Sequence, residues 1–144
     1  MKSKLLDATG QKTFALVFDK GDEVIADLTA FARAQRLGAA HFTAIGAFSE
    51  VTLGYFERVR KDYKRMEVAE QVEVLSLIGD VALDPEDGPR VHAHVVVGLS
   101  DGQTRGGHLL AARVWPTLEV ILVESPAFLR KRHDPDTGLA LIEI

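Results

Sequence analysis

Three histidines form the densest group of reactive side chains in this 144-residue sequence. His92 and His94 stand two residues apart in the apolar run VHAHVVVGL, and His108 follows the turn Ser100-Asp101-Gly102. Because alternate side chains of a strand share a face, we expect the two imidazoles of the pair to project together. A hairpin centred near Asp101 places His94 opposite His108. The spacing therefore predicts a cluster of three imidazoles.

Such a cluster predicts a site for a divalent transition metal. Three neutral imidazoles can hold one ion and leave a coordination position open, as in catalytic zinc sites. Zinc is the ion we favour, and iron, nickel, copper or manganese are the alternatives. The alternative interpretation is a set of partly buried, hydrogen-bonded histidines at a contact between subunits. His41, at the start of a strand, is a weaker candidate ligand, and we expect His133 to be solvated.

Acidic residues are the candidate partners of these imidazoles. A carboxylate can orient an imidazole or act as an acid or base beside a bound metal. The four candidates in strand-like segments are Glu73, Asp80, Glu119 and Glu124. The sequence does not rank them, and it leaves open whether the protein is an enzyme.

A basic run at 58–65, RVRKDYKR, is the second candidate site. Its cations can neutralise phosphates and its tyrosine can stack on a base. The residues concerned are Arg58, Arg60, Lys61, Tyr63, Lys64 and Arg65, and a further basic cluster follows at 130–132. The alternative is a solvated loop, which agrees better with the formal net charge of −4. The sequence contains no helix-turn-helix, zinc-finger or phosphate-binding glycine motif.

Composition and motifs exclude several classes of protein. The chain has no cysteine, which excludes disulfides, a thiolate nucleophile and cysteine metal ligands. It also lacks a GxSxG motif, so we reject a nucleophilic hydrolase. The N-terminus lacks a signal-peptide apolar stretch, and no window approaches the roughly 18 apolar residues of a membrane helix. We therefore expect a cytoplasmic protein that does not enter a membrane.

Hydrophobic periodicity predicts one helix among several strands. Residues 13–19 alternate as a strand, and residues 22–37 follow helical spacing with Asp22 as N-cap and Gly38 as the stop. The segments 39–48 and 51–58 are interpreted as a hairpin, and the polar segment 59–69 as a loop. Further strands are predicted at 71–83, 91–99, 108–114, 118–124 and 139–144.

Together these elements predict a single α+β domain over residues 1–144. We expect a curled, mostly antiparallel sheet of about seven strands with the one main helix packed on it, because the connections are too short for parallel crossovers. Several strands are apolar on both faces, and one helix cannot cover both sides of the sheet. The sequence therefore also predicts an oligomer.

The ordered motifs IGAF, VEVLSLIGD, HAHV and GGHL resemble the plants-and-prokaryotes-conserved (PPC) domain family, from about residue 13 to the C-terminus. The resemblance implies an α+β fold and a homotrimer. Bacterial members are described as predicted DNA-binding proteins with a PD1-like motif. Plant members bind DNA through AT-hooks, and no Arg-Gly-Arg-Pro stretch occurs here.

Three functional hypotheses follow from the residues and the resemblance. The first is a metal-binding homotrimer that acts in small-molecule binding or metal-assisted chemistry through His92, His94 and His108. The second is a DNA-binding or nucleoid-associated protein that uses its basic loops. The third is a module for protein–protein assembly.

Overall fold

The computed structural model describes residues 1–7, 10–84 and 88–144. These ranges contain one helix, α1 (Val24–Ala34), and nine strands joined in one sheet. The strands are β1 (Lys2–Asp7), β2 (Thr13–Phe18), β3 (Ala39–Glu57), β4 (Asp62–Val68), β5 (Val72–Asp84), β6 (Gly88–Gly98), β7 (Thr104–Glu124), β8 (Arg130–His133) and β9 (Ala140–Glu143). The predicted α+β class is confirmed.

The pairing of four central strands makes the sheet curl. Strand β3 pairs with β5 and β7, and β6 pairs with the same two strands, so the four form a closed ring of antiparallel neighbours. The remaining strands extend the ring: β2 and β1 follow β7, and β4 pairs with the second half of β3. Among the strands that the structure describes, one pairing is parallel, and it joins β5 to β8 at Leu83 and Arg130.

Helix α1 covers part of this sheet with a narrow apolar stripe. Val24, Leu28, Phe31 and Ala32 are buried, as the helical spacing predicted, and the Phe31 ring packs edge-on against Phe14 of β2. The predicted bounds and N-cap were wrong. Glu23 caps the helix by accepting a hydrogen bond from the Ala26 amide, whereas Asp22 forms an ion pair with the N-terminal ammonium. The helix ends at Ala34, before Gly38.

The predicted hairpin at 39–58 was also wrong, because β3 runs on without a turn. Its first half pairs with β5, its second half with β4, and β7 accompanies both through several register shifts. One of these shifts follows Gly46, which has a φ of 151° and where an added Cβ atom would collide with the Thr117 carbonyl oxygen of β7. Likewise the two strands predicted at 108–114 and 118–124 are one strand.

The segment predicted as a loop at 59–69 contains β4. Only Val68 of this strand is buried, and Tyr63 and Met66 are half-buried, so its sequence lacks the apolar alternation of a core strand. Strand β8 was missed for a similar reason, since three of its four residues are exposed. These two overlooked strands both contribute to the candidate site.

Candidate metal centre

The β6–β7 hairpin brings the three histidines together. His92 and His94 are on β6, where the alternating neighbours Ala93 and Val95 are buried in the core. His94 lies directly opposite His108 of β7, so the predicted cross-strand pairing is present. The glycine before His108, Gly107, lies against the backbone of β3, where a Cβ atom would meet the Gly54 carbonyl oxygen at 2.8 Å.

The three imidazoles form a compact triangle. Their ring centroids lie 5.2 to 5.3 Å apart, and one nitrogen from each ring lies within 4.8 Å of the others. A tetrahedral zinc ion needs its nitrogen ligands about 3.4 Å apart, so small rotations of the rings would suffice to close the site. Within the described residues this is the one group of three or more potential ligands with that spacing.

Asp80 contacts His92, and Lys131 in turn lies close to Asp80. Asp80 of β5 lies opposite His92, and its Oδ2 is 3.2 Å from His92 Nδ1. The other carboxylate oxygen of Asp80, Oδ1, lies 3.9 Å from Nζ of Lys131. Lys131 is on β8, whose residue Arg130 pairs with Leu83 near the end of β5. A carboxylate on one imidazole nitrogen fixes the ring and leaves the other nitrogen for a metal. Of the four acids suggested by the sequence, the structure therefore selects Asp80.

Tyr63 closes the other side of the cluster. Its ring stacks on the imidazole of His108 with centroids 4.6 Å apart and an interplanar angle of 24°. Strand β4 can carry the tyrosine so close because Gly54 of β3 has no side chain there, and a Cβ would lie 2.8 Å from the ring. The sequence interpretation assigned Tyr63 to nucleic acid, but one face of its ring is occupied by His108.

Burial and neighbouring charges favour the neutral form of two imidazoles, those of His94 and His108. Burial lowers the pKa of His108 to about 4, and the nearby His92, His94 and Lys131 add to the effect. Burial also lowers the pKa of His94, again assisted by His92. A metal ion binds the neutral form of imidazole, so these shifts keep His94 and His108 ready to bind an ion at neutral pH.

We expect His108 of the metal-free protein to titrate near pH 4 instead of near its ordinary 6.5. Between these values the unfolded chain binds more protons than the folded protein, so the free energy of unfolding should rise with pH across this window and level off above it. Histidine NMR titration and denaturant unfolding at several pH values would measure both effects. A His108 midpoint near 6.5 would contradict the prediction.

The cluster opens into a groove of about 1070 Å³. Helix α1, Tyr63 of β4, the ends of β5 and β6, strand β7 and the β8–β9 segment form its walls. Asp80, His92, His108 and Lys131 all line it. Volumes of this order hold small molecules in proteins, so His92 and His108 lie where a ligand can reach them.

The other residues suggested by the sequence lie elsewhere. The five basic side chains of the 58–65 run are exposed on the β3–β4 hairpin; Arg60 forms an ion pair with Glu57, and Lys61 donates to the Pro135 carbonyl oxygen. His41, exposed on β3, lies outside the cluster, and His133 is exposed on β8 at the groove.

The donor set fits a transition-metal ion. Nδ1 of His108 is buried and lacks a hydrogen-bond partner among the described residues. An unpartnered buried nitrogen is costly, and a metal ion is one partner that would satisfy it. The sequence alone gave no sign of Lys131 as a neighbour of this site, because alternation within a short exposed strand does not reveal its single buried side chain.

Fold and site together define a small α+β protein with a histidine cluster in an open groove. A model of the Plants and Prokaryotes Conserved (PCC) domain matches residues 6–126. The chain belongs to this family, which is the PPC family indicated by its motifs. It is also 31% identical over 136 residues to the bifunctional protein GlmU of a Synechococcus strain, covering 92% of this chain. It spans about a fifth of the length of that curated relative.

Solved structures of the family share the fold closely. A PPC protein of Pyrococcus horikoshii is 29% identical, with a TM-score of 0.87 and coverage of 96% of this chain and 98% of that one. A metal-containing protein of Archaeoglobus fulgidus is 33% identical, with a TM-score of 0.85 and coverage of 98% and 99%. A protein of Ralstonia eutropha, named provisionally as DNA-binding, is 30% identical, with a TM-score of 0.84 and coverage of 91% and 90%.

No helix within the described ranges is long and apolar enough to cross a membrane.

Proposed function

We propose that this protein binds one divalent transition-metal ion per chain through His92, His94 and His108, and that it binds a small molecule beside that ion. The observation that carries the proposal is the triangle of imidazoles, whose nitrogens lie within 4.8 Å of one another and of which His92 and His108 line a groove. Zinc is the first candidate, because three imidazoles with one position left open are typical of its catalytic sites. The metal-containing relative from Archaeoglobus fulgidus supports the proposal.

The residues around the cluster have distinct roles in this proposal. Asp80 holds His92 in one orientation through the contact to Nδ1, and the ring of Tyr63 restrains His108 by stacking. A bound ion would supply a Lewis acid that polarises a ligand oxygen or activates a water. Lys131 lies behind Asp80 and keeps a positive charge at the groove wall.

The direct test is the metal content of protein purified without a histidine tag. We expect about one equivalent of a first-row transition metal per chain by mass spectrometry of the digested sample. A content below about a tenth of an equivalent after growth with added zinc would end the proposal, because such a value is far from a filled site.

We also propose that three copies assemble through the face of the sheet that lies opposite the core. Its exposed apolar side chains are Val17, Ile45, Ile78, Val96 and Ile121, each 40% to 62% exposed. Neighbouring strands contribute them in register, since Thr43 pairs with both Ile78 and Ile121. A second copy of the chain presents the same chemistry, and burial of each such side chain is worth about 1.5–3 kcal/mol.

DNA binding is a second candidate, favoured by the exposed basic β3–β4 hairpin and by the provisional name of the Ralstonia relative. In the proposed trimer this hairpin would occur three times, so one assembly would make three sets of contacts with the DNA phosphates. Affinity for duplex DNA would then fall steeply with salt and be lost in Arg60→Ala/Lys64→Ala. The absence of any gel shift at low salt would remove this candidate.

A further inference from the structure

The groove beside the histidines carries positive charge although the whole chain is acidic. Its described charged side chains, apart from histidine, are the cations Arg33, Arg90 and Lys131 and the carboxylates Asp80 and Asp84. One positive charge therefore remains on a chain whose formal net charge is −4. An ion held by the histidines would add two more.

Lys131 is the unusual member of this set. Its side chain is 6% exposed, and its one ion-pair partner in the described chain is Asp80 Oδ1 at 3.9 Å, beyond hydrogen-bonding distance. Burial lowers the pKa of this lysine, and Asp80 opposes that effect. An ammonium group at the end of a largely buried side chain, without a close acceptor, is costly unless a ligand or water supplies one. Lys131 lines the groove, where such a ligand can reach it.

The apolar walls of the groove restrict the rest of the ligand. Ile25 belongs to α1, while Leu110 and Leu139 approach from β7 and from the segment before β9. The helix contributes the side of its cylinder through Ile25, Thr29 and Arg33, so its N-terminal amides are not presented as an anion site. The single excess positive charge suits a ligand with one negatively charged group, and the apolar walls suit a hydrocarbon body.

We propose that the groove binds a small organic carboxylate, with Lys131 as the residue that recognises the carboxylate group. The inference rests on the proposed metal site in that the ligand lies beside the three histidines. Arg90, whose side chain is 60% exposed and forms an ion pair with Asp84, attracts the ligand from the rim. Hydrogen bonds between ions are stronger than neutral ones, so recognition concentrates at the buried lysine.

Hexanoate and its neutral isostere hexanamide form a matched pair of probes. Their dissociation constants would be measured by calorimetry on the same protein samples whose metal content is determined. We expect hexanoate to bind wild-type protein, hexanamide to bind at least roughly tenfold more weakly, and Lys131→Met to weaken hexanoate alone by roughly the same factor. Arg90→Gln should have a smaller effect, roughly threefold, because its charge is largely screened by solvent.

Arg132→Gln is the matched control on β8. Arg132 follows Lys131 directly, is 75% exposed and forms an ion pair with Glu143, so hexanoate affinity should not change. If Lys131→Met is unstable, the comparison of hexanoate with hexanamide and the Arg90→Gln variant still test the inference.

Full metal content with equal affinity of wild type and Lys131→Met for hexanoate would overturn the inference and leave the metal proposal standing. Metal-free wild type that still binds hexanoate through Lys131 would end the metal proposal and support the carboxylate site. Tighter binding of inorganic phosphate with the same dependence on Lys131 would overturn the assignment to a carboxylate.

Discussion

Replacing His92 by alanine is expected to reduce the metal content from about one ion per chain to less than about a tenth. The variant leaves two imidazoles, which rarely hold a transition metal through dialysis, and it removes the hydrogen-bond partner of Asp80 Oδ2. Mass spectrometry of untagged protein would measure the loss. His94→Ala and His108→Ala should behave alike, because all three donors lie within 4.8 Å of one another.

Asp80→Asn is expected to weaken metal binding without abolishing it. It keeps the shape of the side chain and weakens its hold on His92, so metal affinity should fall by about 10- to 100-fold in competition with a chelator. His41→Ala and Glu73→Gln are the controls, since both residues are exposed on β3 and β5 and lie outside the cluster. Equal losses in the controls would mean that the changes act on the fold and not on ligation.

Replacing Ile78 by aspartate is expected to dissociate the proposed trimer. Ile78 is 56% exposed at the centre of the apolar face, beside Thr43 on one side and His94 on the other. In a threefold assembly each of the three chains would bury one such carboxylate at an interface. The desolvation cost of a buried charge would therefore arise three times per trimer and oppose assembly. Light scattering should then give the mass of one 15.7 kDa chain in place of three.

The matched control for this variant is Val59→Asp. Val59 is 97% exposed in the turn between β3 and β4 and is not one of the five residues of the apolar face, so its replacement should leave the mass unchanged. A wild-type protein that is monomeric at micromolar concentration would contradict the trimer itself. An unchanged oligomer in Ile78→Asp would instead place the contact on another surface.

The part of the site within one hairpin was predictable from sequence. A short turn fixes the register of the two strands that it joins, so the position of Asp101 was sufficient to place His94 opposite His108. The alternation of His92, Ala93 and His94 likewise determined which side chains face away from the core. Hairpin register and strand alternation were therefore sufficient to predict that the three histidines lie together.

The parts contributed by distant segments were not predictable. Lys131 reaches Asp80 through a parallel pairing of β8 with β5, which no pattern in either segment encodes. Tyr63 was assigned to a loop because β4 buries little apolar surface, and its stacking on His108 depends on the absence of a side chain at Gly54. Long-range pairings of this kind follow from the tertiary packing of the whole sheet.

The stacking of Tyr63 on His108 also gives the protein a built-in optical probe. The sequence contains two tyrosines and one tryptophan, and the other tyrosine, Tyr55, is 65% exposed. An aromatic ring held rigidly in an asymmetric environment produces near-ultraviolet circular dichroism, whereas a freely rotating ring produces little. Ion binding that reorients His108 would therefore change the near-ultraviolet dichroism of Tyr63, so occupancy can be followed without a colour from the metal.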